Sequence, residues 1–101
     1  MRMLVDLDLP LEPFNSYVRD GTAGDRIRTI LEALKPEAVY FSERNGRRGG
    51  ILVVDVPSPS DIPRIAEPFF LTFNAAVSFH ICMTPEDLGR AGLDELGETW
   101  G

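Results

Sequence analysis

Gly49–Val56, GGILVVDV, is the stretch that decides how this chain reads. It is short, apolar and β-branched, it opens on two glycines, and it stops at Pro57, which is the profile of a buried strand. Just upstream, Glu37–Arg44 (EAVYFSER) is a second strand-like run, and Asn45-Gly46-Arg47-Arg48 joins the two. The pair reads as a β-hairpin at the centre of one small sheet. Val39 and Phe41 fall on one side of the first strand, with Ala38, Tyr40 and Ser42 on the other. In the second strand, Leu52, Val54 and Val56 oppose Ile51, Val53 and Asp55. Both of its faces are largely apolar, so it belongs inside the sheet.

Working outward, Arg2–Leu9 alternates with a period of two, Met3, Val5, Leu7 and Leu9 against Arg2, Leu4, Asp6 and Asp8. That predicts a strand with one face on a core, ended by Pro10. Leu11, Phe14 and Val18 recur at helical spacing and predict a short helix or turn. Ile27, Ile30, Leu31 and Leu34 predict an amphipathic helix, with Thr22 and Asp25 as a weak capping box. After the hairpin, Ser60 or Asp61 offers a helix cap, and Ile62, Ile65, Ala66 and Phe69 form a buried stripe. Pro68 predicts that this helix is short or kinked. Asn74–Met83 is a fourth strand, Thr84-Pro85-Glu86-Asp87 is the strongest helix start in the chain, and Leu93, Leu96 and Trp100 give the tail an apolar side. Such a tail needs a docking place, on its own body or on a partner.

The order β-α-β-β-α-β-α matches the split β-α-β arrangement. Right-handed crossovers then set a strand order of 4-1-3-2, all antiparallel, with both helices on one face. The expected fold is α+β and ferredoxin-like, βαββαβ with a C-terminal helix, as one domain over residues 1–101. The other sheet face carries Leu4, Asp6, Tyr40, Ile51, Val53 and His80 among others. It is neither plainly solvated nor plainly core, and a second copy packed on it would bury its apolar members.

PEAVYF before the hairpin, LVVDVPSPSDIPRIAEPFF after it and the closing HICMTPEDL resemble small bacterial uncharacterised proteins of the dimeric α/β-barrel superfamily. The resemblance covers nearly the whole chain. It implies a homodimer formed through the sheet face, in a superfamily that holds cofactor-free monooxygenases, lactone isomerases, haem enzymes and non-enzymatic stress proteins. No catalytic motif of these carries over residue by residue.

Composition removes several classes of function. A net charge of −6 argues against non-specific nucleic-acid binding, which needs a basic footprint. No apolar run is long enough to span a bilayer, and MRMLVDLDLP does not read as a signal peptide, so a cytoplasmic protein is the default expectation. The single Cys82 precludes an intrachain disulfide and a cysteine zinc site. No cofactor is expected.

Candidate residues come from the mixed face. Asp6 and His80 are the candidate proton-transfer groups, a carboxylate on a half-covered face and the only imidazole. The commoner role for His80 is a hydrogen-bonded interface residue, and a solvated strand end is an equal alternative for Asp6. Tyr40, Ser42, Asp55 and Ser78 are candidate ligand-binding residues, tyrosine being equally a common interface residue. Asp6, Asp55 and His80 do not have the spacing of a demonstrable metal site. Arg44, Arg47 and Arg48 read as a solvated hairpin tip, and Cys82 as a small apolar filler. Three functions follow. The first is a dimer binding a small, partly apolar molecule in a cavity on the sheet face. The second is a cofactor-independent monooxygenase or isomerase, which needs a cavity of several hundred Å3 reaching Asp6 and His80. The third is a non-enzymatic interaction or regulatory module using the tail.

Overall fold

The alternation in Arg2–Leu9 becomes strand β1, whose inward residues Val5 and Leu7 are almost completely enclosed. The computed structural model describes residues Met1–Gly101. After β1 come α1 (Leu11–Asp20), α2 (Ala23–Leu34), β2 (Ala38–Arg44), β3 (Arg47–Asp55), a short 3-10 turn at Pro59–Asp61, α3 (Ile62–Phe73), β4 (Ala76–Ile81), α4 (Pro85–Gly89) and α5 (Leu93–Trp100). The four strands form one antiparallel sheet in the order β2-β3-β1-β4, which is the expected order read from the opposite edge. The architecture is α+β and compatible with a ferredoxin-like fold. No helix is long and apolar enough to cross a membrane.

The core lies between the sheet and the first three helices. Met3, Val5, Leu7, Leu52 and Val54 meet Phe14, Ile30, Ile65, Phe69 and Phe73 there. Phe14 stacks on Phe73 with ring centroids 5.1 Å apart, and Tyr17 meets Phe73 edge-on at 5.8 Å. The Tyr17 hydroxyl donates to the Thr72 carbonyl at 2.9 Å, tying α1 to α3.

Several boundaries differ from the sequence reading. The hairpin turn is only Asn45-Gly46, both with positive φ of 51° and 78°, and Arg44 pairs directly with Arg47. Asn-Gly is the pair that tolerates this geometry, so the tight turn wins over the expected four-residue link. Arg47 and Arg48 therefore lie in β3 on opposite faces of the sheet. β4 is trimmed to Ala76–Ile81. Helix α3 runs through Pro68, because Phe69 and Phe73 beyond it are buried and hold its second half on the sheet. Thr22 makes no capping bond to α2; its backbone N–H and hydroxyl both donate to Asp20, which closes the preceding turn. Asp61 likewise makes no capping bond to α3, and Ser58 caps the 3-10 turn instead. The capping box at Thr84 and Asp87 forms as expected, with both bonds present.

The C-terminal segment departs from the body. No residue of α4 or α5 joins the core or the partly buried shell packed on it. The molecule measures 60 × 28 × 19 Å with a radius of gyration of 17.2 Å, where a compact domain of this length has about 13 Å.

Candidate functional site

Register sorts the open sheet face into rows. Tyr40, Ile51, Asp6 and Ser78 form one row across all four strands. Ser42, Gly49, Asp8 and Ala76 form the next toward the hairpin tip, while Ala38, Val53, Leu4 and His80 form the row on the other side. Asp55 lies one row further still, opposite Arg2.

Asp6 and Ser78 are direct cross-strand partners. They border a small depression of about 170 Å3 together with Asp8, Arg44, Asn45 and Ala76. Tyr40 shares their row from the far edge and is 72% exposed. His80 is opposite Leu4, and a diagonal neighbour across a ladder lies about 7–8 Å away between Cα atoms. The structure gives His80 no side-chain hydrogen bond to Asp6. Ser42 is exposed on the edge strand, and Asp55 is exposed at the opposite end, 3.1 Å from the amino group of Met1. The structure thus brings Asp6 and Ser78 together, aligns Tyr40 with them, and separates Asp55 and His80 from them. No cluster of three metal-ligating side chains is present.

Arginines are what the sequence reading missed. Arg44 reaches over β3 and holds Asp6 with one guanidinium nitrogen against both carboxylate oxygens. Asp6 is 23% exposed and Arg44 39%, so the pair is half-sheltered. Arg47 donates to Asp8 Oδ2 at 2.7 Å, while Asp8 Oδ1 is enclosed with no hydrogen-bond partner. Gly49 makes the crossing possible: a Cβ there would sit 3.0 Å from Arg44 Cβ and 3.1 Å from the Leu7 carbonyl oxygen. A glycine facing an aspartate on a strand, with one arginine two positions before it and another five positions before it across a tight turn, is the signal that points to this arrangement. Arg48 is on the helix side, 4.4 Å above the Phe14 ring and 2.8 Å from Asn15 Oδ1.

A larger groove, about 610 Å3, opens at the hairpin end of the molecule. Its floor includes Leu9, Leu11, Phe14 and Phe41, and its rim includes Arg47 and Arg48. Of the candidate residues only Ser42 borders it. Neither this groove nor the small depression reaches His80.

The fold and the face define a small α+β protein with one covered and one open sheet surface, the open one carrying paired charges among apolar side chains. No family model and no curated protein matches the sequence.

Proposed function

We propose that this protein is a homodimeric binder of a small, partly apolar molecule, held between two open sheet faces above Asp6, Asp8, Arg44 and Ser78. The observation that carries this reading is Asp8 Oδ1, an enclosed carboxylate oxygen without a donor, at the edge of a depression. An enclosed polar atom lacking a partner is costly, so a ligand hydroxyl or ammonium supplying that hydrogen bond gains free energy the empty site lacks. Leu4, Tyr40, Ile51 and Val53 on the same face supply apolar walls once a second copy covers them. The resemblance to the dimeric α/β-barrel superfamily supports the same assembly.

Native mass spectrometry of the protein as purified tests this. A dimer carrying extra mass is the expected result, and Asp8→Asn should lose that mass while remaining dimeric. A bare monomer at micromolar concentration sinks both the dimer and the shared cavity. In the isomerase or monooxygenase reading Asp6 or His80 moves the proton, and Asp6 is already committed to Arg44; conversion of an aromatic or lactone substrate that vanishes in His80→Ala would support it.

A further inference from the structure

We infer that the C-terminal arm, α4 and α5, docks in the hairpin-end groove of a second copy of this chain, and that two copies exchange arms reciprocally. This goes beyond the ligand-binding reading and does not depend on a ligand.

The donor is an unpartnered helix. Leu93, Leu96 and Trp100 fall at i, i+3 and i+7 on one side of α5, and all are exposed, Trp100 by 83%. Eight residues are too few for a helix to persist alone in water, where about 12–15 are marginal. The Thr84–Asp87 capping box fixes the start of α4, while α5 has no side-chain cap and its apolar face finds no cover in the core of its own body.

The acceptor is the groove at the other end. Its floor is apolar, Leu9, Leu11, Phe14, Ile27 and Phe41, and Arg47 and Arg48 stand at its rim beside one acid, Glu43, whose carboxylate accepts from the Gly46 N–H. Arg48 spends one nitrogen on Asn15 and Arg47 one on Asp8, which leaves further guanidinium N–H groups for an incoming acid. Helix α5 carries Asp94, Glu95 and Glu98 and no basic residue. An acidic amphipathic helix and an apolar groove with a basic rim are complementary in both respects.

Placement selects a second copy as the source. The arm follows β4, whose Ile81 end pairs with Met3, whereas the groove lies by Leu9 and Arg48, the opposite end of β1. The six residue steps from Met3 to Leu9 separate them by about 20 Å. Two copies related by a two-fold axis with antiparallel strands bring each arm beside the other's groove, so both contacts form at once and the assembly closes.

Trp100 is the only tryptophan and reports directly on docking. Emission and sedimentation of the full chain are measured across a concentration series. The expected result is a monomer-to-dimer transition in which Trp100 emission shifts to the blue along the same curve. Leu96→Asp on the arm and Arg48→Glu in the groove should each weaken the dimer about tenfold or more. Leu96 lies outside the core, so that variant keeps its fold even if Arg48→Glu is destabilised. Mixing the two variants should restore association above either alone, since one intact arm meets one intact groove. A dimer whose Trp100 emission does not change, or that tolerates Leu96→Asp, overturns the inference while leaving the sheet-face reading intact. An open ladder of oligomers overturns the reciprocal closure.

Discussion

The Asp6–Arg44 pair shows how a single glycine sets a site. Because Gly49 has no side chain, Arg44 crosses the central strand and its charge is spent on a carboxylate in the sheet interior. Half-sheltered pairs fall between surface pairs and fully buried ones, so Arg44→Met should lower stability by about 1–2 kcal/mol in urea unfolding. Asp6→Asn in the same chain should recover most of that loss, because the cost lies in leaving the carboxylate unpaired. A double variant as unstable as the sum of the single ones sinks this account. Gly49→Val should cost more, about 2–3 kcal/mol, since its neighbours include backbone that cannot move aside. Gly50→Ala meets the edge of the half-exposed Phe41 ring at 3.1 Å, with the Tyr40 carbonyl oxygen at an ordinary 3.4 Å, and should be milder. At this scale the sequence was partly legible. The mixed face and its acids could be read from alternation alone. The arginines could not, because assigning four residues to the turn put all three at a solvated tip, and only the two-residue turn divides them between faces.

Elements were legible wherever a local signal and a tertiary one agreed. Thr84-Pro85-Glu86-Asp87 formed its box because both hydrogen bonds are internal to four residues. Thr22 failed because Asp20, two residues back, offered a nearer acceptor. Pro68 did not shorten α3, because burial of Phe69 and Phe73 outweighs a proline penalty of about 3 kcal/mol. The Asp87 carboxyl is held below its ordinary value, first by the Thr84 backbone N–H, then by the Thr84 hydroxyl, with Arg2 and Arg90 adding to it. A depressed carboxylate stabilises the folded helix above its unfolded pKa, and that contribution fades as pH falls through the folded value. The start of α4 should therefore be ordered at neutral pH and fray below the ordinary aspartate value of 3.8. The Thr84 amide proton, followed by NMR from pH 6 to pH 2, reads it directly. Thr84→Ala should fray the same turn at every pH, at a cost of about 1 kcal/mol local to the arm. An amide signal indifferent to acid would show that the box does not hold the helix.

For the whole molecule, period-two and helical patterns determined the layers and strand order, because each buried stripe has a single face to meet. They did not show that the tail leaves the body: an amphipathic helix reads the same whether it covers its own core or another chain's. Nor did they show the groove, which draws its lining from β1, α1, α2 and the hairpin together. Two surfaces now compete to explain self-association, and stability separates them. None of residues 93–101 lies in the core, so deleting them should leave the dilute monomer within about 0.5 kcal/mol of the full chain. Leu52→Ala, at a fully enclosed position, should cost about 2–5 kcal/mol in the same measurement. At high concentration the behaviour should reverse, because association stabilises only the folded state and makes the melting temperature rise with protein concentration. The arm deletion should flatten that rise, and Ile51→Asp on the open sheet face should flatten it independently. If the deletion flattens it and Ile51→Asp does not, the arms alone hold the dimer and the open face is left exposed. The reverse pattern makes the sheet face the sole interface and leaves the arm for another partner.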